Sequence, residues 1–218
     1  MSNVESSLYM MVGLILGVIL HEFCHGYVAW KLGDPTPKAA GRVTLDPMAH
    51  VDPFGTLILP GLLFLMSLMG YGGFIIGYAK PVPVNPFLLR RARYIIYVSL
   101  AGPLSNLVLG LACMGLAGAV NAMGGSTAAD KAVVTLIFIA YINFLLFVFN
   151  LLPIPPLDGS RVVGYFLKGE ARRAYQAIEP YGIFIILVIV SFFGFPLGGL
   201  VRSLVNLSFR LFNLPYVL

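Results

Sequence analysis

Two histidines four residues apart, with a glutamate directly after the first, stand in the middle of an apolar run. His21-Glu22-Phe23-Cys24-His25 is an H-E-x-x-H motif inside a segment from Leu8 to Trp30. On a helix, residues i and i+4 share a face, so His21 and His25 can hold one metal ion between them. Glu22 is then placed to act as general base on a water held by that metal. The run from Leu8 to Leu20 carries no charge. A glutamate in such a segment costs at least about 2–3 kcal/mol unless something pairs with it, so its presence points to function. The chemistry implied is metal-assisted hydrolysis at membrane depth.

Two histidines leave a catalytic zinc site incomplete, because such sites take three protein ligands and keep a position open for water. The chain has only three histidines, so the third ligand is His50 or a carboxylate. Asp158 is the strongest candidate. It ends an apolar span, after the proline-broken turn Pro153-Ile154-Pro155-Pro156-Leu157, and Gly159 lets the backbone bend there. The competing reading of Asp158 is a turn carboxylate that caps the next helix. His50 lies in a polar loop, where solvent exposure is the commoner state, though a loop residue near a site can serve it.

The elements that must carry these residues follow from composition. Of 218 residues, 59% are hydrophobic and 11% charged, against about 25% charged in a soluble domain. Mean hydropathy is +0.90. This predicts an all-α polytopic membrane protein of five to six spans, with no room for a sizeable soluble domain. The net charge of +5 sits in clusters at the ends of apolar segments, which orients a membrane protein and argues against a nucleic-acid partner. Cys24 and Cys113 both fall in apolar segments and outline no disulfide framework. Glu5 and the unbroken run into the motif argue against a cleaved signal peptide.

Spans are predicted over Leu8 to Leu32, Tyr94 to Val120 and Ala132 to Leu152, with shorter apolar helices over Tyr181 to Phe193 and Leu200 to Leu214. Gly13-x-x-x-Gly17 continues into the histidine row, so a close-packing face merges into the metal face. Gly41 to Leu45 is predicted as a short strand. Lys80-Pro81-Val82-Pro83-Val84-Asn85-Pro86 cannot be helical, because each proline pushes its predecessor to an extended conformation. Either Gly41–Leu45 or Tyr78–Val84 could offer a strand edge to a substrate unwound from its helix. The segment Phe54 to Pro86 is predicted to enter the membrane and return, as a re-entrant helix or a helix followed by a strand, with Gly70 to Val84 lining the path to the metal.

The residues then match a known pattern. His21-Glu22-x-x-His25 is followed by Asn150-Leu151-Leu152-Pro153-Ile154-Pro155-Pro156-Leu157-Asp158-Gly159, an N-x-x-P-x-P-x-L-D-G sequence at every fixed position. Ala101-Gly102-Pro103-Leu104-Ser105-Asn106, Asp46 to Thr56 and Gly77 to Pro86 fit the same pattern. The chain resembles the site-2 proteases, the intramembrane zinc metalloproteases, and among them the small prokaryotic members without a PDZ or nucleotide-sensing domain. The resemblance implies one zinc ion held by His21, His25 and Asp158, with Glu22 activating the water. It places Asn150 near the substrate or the ligand loop, and Asn106 invites the same reading beside a structural one. It also implies single-span membrane proteins as substrates and the lipid bilayer of a prokaryotic cell membrane as surroundings. Lys31, Lys38 and Arg42 after the first span, with Arg161, Lys168, Arg172 and Arg173 after the Asp158 span, predict that the site lies toward the cytoplasm. The chain reads as one protease domain over residues 1–218, its catalytic core over about 8–163 and C-terminal helices over about 178–214. Two rival readings are a metal-dependent transporter, which would spread ionisable residues over several spans, and an inactive scaffold, which would have lost Glu22 or a ligand.

Overall fold

The computed structural model describes residues 3–52, 55, 58–69, 80–124, 127–182, 184–186, 188 and 198–214. Nine helices are labelled among them: α1 (Asn3–Lys31), α2 (Thr36–Ala39), α3 (Pro47–His50), α4 (Leu59–Leu68), α5 (Tyr94–Ala122), α6 (Thr127–Asn150), α7 (Asp158–Phe166), α8 (Gly169–Gln176) and α9 (Gly198–Leu211). Short 3-10 turns cover Pro86–Leu88 and Glu179–Tyr181.

Helices α1, α5 and α6 are long and apolar enough to cross a membrane. At 1.5 Å per residue the 29-residue α1 and α5 reach about 43 Å and the 24-residue α6 about 36 Å, beyond the roughly 30 Å of a bilayer core. The described residues thus supply three candidate spans. Helix α9, with 14 residues, is short for a crossing. Gly70 to Ala79 and most of the apolar stretch from Tyr181 to Phe193 lie outside the described residues.

Contacts between the helices fix their directions. Gly13 meets Ile139 and Ile142, Gly17 meets Asn143 and Leu146, and His25 meets Asp158, so α1 and α6 run parallel. Gly17 and His21 meet Asn106, while His25 meets Val98, so α5 runs antiparallel to both. The histidine end of α1, the start of α5 and the end of α6 therefore gather at one end of the bundle. Beyond the site, Met114, Ala117, Ile137 and Phe144 of α5 and α6 form an apolar core with Val201, Val205 and Phe209 of α9.

No strand occurs among the described residues. Gly41–Leu45 is a series of turns instead. Gly41 takes φ +67°, Arg42 N–H closes back on Pro37 O at 2.9 Å, and the buried Arg42 guanidinium donates to Ala49 O. Local bonding there leaves no straight edge to pair. Residues 80–85 are non-helical as the prolines require, and Lys80 N–H donates to His50 O at 3.0 Å.

The glycines of α1 set the helix spacing. A Cβ on Gly17 would lie 3.0 Å from Leu146 Cδ1 and 3.1 Å from Asn106 Nδ2, and nearer still to Asn143 Oδ1. Gly17→Ala is therefore expected to push α1 off α5 and α6 and to lower the thermal midpoint of the detergent-solubilised protein by several degrees, a loss of about 1–3 kcal/mol. Gly164→Ala in α7, whose nearest neighbour would be Tyr175 at 3.9 Å, should leave it unchanged. Equal melting of both variants would contradict the packing described.

Candidate metal centre

His21 and His25 stand one turn apart on α1, their ring centroids 4.5 Å apart and nearly perpendicular. Their Nε2 atoms approach to 2.9 Å, and each lies 3.1 Å from Asp158 Oδ2. Among the described residues these three form a group able to hold a metal ion, and all three are buried. Asp158 arrives from a distant part of the sequence. Helix α6 ends at Asn150, the proline-rich turn reverses the chain, and Asp158 opens α7. Gly159 makes that reversal possible, since a Cβ there would lie 2.6 Å from Leu152 O and closer to Leu151 O.

The far side of each imidazole is fixed. His25 Nδ1 lies 2.7 Å from Val98 O, and His21 Nδ1 lies 2.7 Å from Asn106 Oδ1. A backbone carbonyl can only accept, so His25 donates its Nδ1 proton there. Asn106 presents its oxygen to His21 because its Nδ2 donates to Gly17 O at 3.0 Å and to Asn143 Oδ1 at 2.9 Å. With both Nδ1 atoms donating, neutral imidazoles present lone pairs at Nε2. Two lone pairs and a carboxylate oxygen then converge within 3.1 Å, an arrangement that needs a shared proton or a cation to hold it. Two imidazole nitrogens and a carboxylate oxygen suit a divalent metal such as zinc.

Helix α5 shapes the cradle. Gly102, beside Pro103, lies directly under the imidazoles. A Cβ there would sit 2.6 Å from His21 Nε2 and closer to His25 Nε2. Glu22 stands outside the group of three and accepts the Val82 N–H at Oε2, 2.8 Å away. The non-helical segment at 80–85 thus lies against the glutamate, and Gly26 makes room for Val82. Asp34, fully buried, ties the same region together through Thr36 N at 2.9 Å and Asn85 N at 2.7 Å.

The structure thus brings together His21, His25 and Asp158 and sets Asn106 behind His21 as its hydrogen-bond partner. His50 is buried, contrary to its reading as an exposed loop residue, because Nε2 bonds Thr44 O at 2.8 Å within its own turn. It stands outside the metal group. Asn150 donates to Leu146 O of its own helix at 3.0 Å. Asn143 is missed by the sequence reading. Its signal is an amide in the middle of an uncharged run, which must find partners once buried.

Comparison with known proteins agrees with this geometry. The model of Peptidase family M50 matches residues 114–193, the part that carries α6 and Asp158. A protein described as "Putative zinc metalloprotease YwhC" from Bacillus subtilis is 38% identical over 197 residues, covering 88% of this chain and 83% of its own length. Rip2 of Mycolicibacterium smegmatis, described in the same words, is 31% identical over 194 residues, 87% of this chain and 69% of its own. The chain belongs to peptidase family M50, the site-2 proteases. It is a membrane metalloprotease. No solved structure matches it significantly.

The cradle makes a direct prediction. Gly102→Ala fills the space over which the imidazole edges meet, so metal content after purification should fall at least about tenfold while circular dichroism keeps its helical signal. Asp158→Asn should weaken metal retention in the same assay, and His50→Ala should not. A Gly102→Ala protein that retains full metal would contradict the cradle.

Proposed function

We propose that the protein is an intramembrane zinc endopeptidase that cuts single-span membrane proteins within or near the bilayer, with His21, His25 and Asp158 as ligands of one zinc ion and Glu22 as general base. The observation that carries this reading is the convergence of two imidazole nitrogens and a carboxylate in a bundle of three helices long and apolar enough to cross a membrane, with a glutamate next in sequence that is not one of them. His25 and His21 precede Lys31 by six and ten residues, roughly 9 and 15 Å along α1.

Bound zinc would supply Lewis acidity, polarising a peptide carbonyl and acidifying water. The chain's residues do the rest. Glu22 takes the proton from the attacking water and passes it to the leaving amine. The Val82 N–H holds the Glu22 carboxylate in one rotation, leaving Oε1 to handle the proton. Asn106 and Val98 O keep the imidazoles in the ligating tautomer. Of the two sequence candidates for a substrate edge, residues 80–84 are non-helical and lie against Glu22, and so support the role better than the turns at Gly41–Leu45. Asn150 and His50 remain candidates only for indirect contact with substrate, since each bonds within its own local segment.

Glu22→Gln should keep zinc and lose cleavage of a single-span substrate by about 10²–10⁴-fold. Val82→Pro, which removes one N–H between two residues already restricted by proline, should keep zinc and reduce kcat by about tenfold. A Glu22→Gln protein with wild-type activity would sink the proposed role.

Charge supports an orientation. Lys31 and Lys38 pack on Trp30 at the end of α1. Arg90, Arg91 and Arg93 precede α5, and Arg161, Lys168, Arg172 and Arg173 follow α6. These all mark one end of the bundle, the end nearer the metal cluster, which would face the cytoplasm. Phe87, in the 3-10 turn before α5, is 95% exposed. A cysteine there should label only from the cytoplasmic side of oriented vesicles, and labelling only from outside would reverse the orientation.

A further inference from the structure

A line of buried amides runs behind the metal cluster. Asn143, fully buried in α6, donates through Nδ2 to Ile139 O at 2.8 Å and to Gly13 O at 3.3 Å. Both partners are backbone carbonyls, so the Asn143 amide has one permitted orientation and its Oδ1 is turned toward Asn106. There it accepts one Nδ2 proton of Asn106, also fully buried, at 2.9 Å, and Gly17 O accepts from the same nitrogen at 3.0 Å. Only then is Asn106 Oδ1 committed to His21 Nδ1 at 2.7 Å. We propose that Asn143 is a positioning residue of the metal site: through Asn106 it holds His21 in the tautomer whose Nε2 can bind zinc. This rests on the zinc reading above and extends it to a residue on a third helix.

The alternative state is specific. If the Asn106 amide turned over, its oxygen would face two acceptors, Gly17 O and Asn143 Oδ1, and its nitrogen would face His21 Nδ1. His21 would then favour the proton on Nε2, where it blocks ligation. Asn143 and Gly17 O are the two anchors against that turn. The glycine carbonyl is backbone and cannot be removed by substitution, whereas the asparagine can. Both amides are fully buried, so each anchor carries more weight than it would at a surface.

The test measures zinc affinity, by chelator competition, of the full chain purified in detergent, without reference to activity. Asn143→Leu removes the acceptor and should weaken zinc binding about tenfold, the lower end for partners behind a metal ligand because Gly17 O remains. Asn143→Asp, neutral when buried, keeps an acceptor carbonyl and one donor and should bind zinc like the wild type. Asn106→Asp in the Asn143→Leu background, as a carboxylate facing the His21 Nδ1 proton, offers an acceptor whichever way it turns, and should restore affinity. A role confined to helix packing predicts the opposite: Asn106→Asp would add a second disturbance and restore nothing. Where Asn143→Leu does not yield folded protein, Asn143→Ala takes its place in both the single and the double variant. Unchanged affinity on loss of Asn143, or no recovery in the double variant, overturns the inference. Wild-type protein whose zinc uptake is absent, or survives His21→Ala, overturns the metal reading itself and this inference with it.

Discussion

Every imidazole has two nitrogens, and a neutral one can offer a lone pair from only one of them. In α1 both Nδ1 atoms face acceptors on α5, Val98 O and Asn106 Oδ1, so both Nε2 atoms are left to converge on Asp158. The helix arrangement serves this requirement. Helix α5 must lie close enough for Gly102 to slide under the rings, and α6 must run parallel to α1 so that its exit carries Asp158 to the same depth as His21 and His25. A shift of α1 by one residue would turn the histidines about 100° away from both partners.

The bilayer sharpens this constraint. A polar group buried away from water must find a partner within the protein, and an irregular backbone at depth must be covered by it. Asn143, Asn106 and Asp34 follow that rule. Asn143 and Asn106 bond glycine carbonyls on α1 that no side chain shields. Asp34 bonds two amides of the loops that close the charged end. The non-helical segment at 80–85 uses one of its amides on Glu22, so the chain that cannot be helical contributes directly to the only acidic side chain of α1 beyond its first turn. Chemistry and fold stability share the same hydrogen bonds, which explains why so few ionisable residues suffice.

Close packing and metal geometry also meet in the glycines. Gly13 and Gly17 admit Ile142, Asn143 and Leu146 of α6, and Gly102 admits the imidazoles. Each omitted side chain lowers the distance between two helices, and dispersion contacts between close backbones replace the hydrophobic drive that lipid removes. Gly159 does the same for the chain reversal that delivers Asp158.

Much of this was legible in the sequence, because its signals are local. The i, i+4 spacing places His21 and His25 on one face whatever surrounds them, an uncharged run of spanning length reads as a membrane helix, and a proline-rich stretch cannot be helical. The pairing of H-E-x-x-H with the L-D-G turn pointed to Asp158 for the same reason. What the sequence left open depends on groups brought together from far apart. Gly41–Leu45 reads as a strand by composition, yet Gly41 and the Arg42 bonds to Pro37 and Ala49 turn it into bends. His50 reads as exposed because its loop is polar, yet it is buried, with its Nε2 bonded to Thr44 O. Asn143 carries no motif, and the motif that contains Val82 names no partner for it. Their roles come from facing Asn106 across 37 residues and Glu22 across 60. Local periodicity determines which side chains share a helix face, but a hydrogen bond between distant segments exists only once packing has set their distance and angle, and that the tertiary structure alone decided.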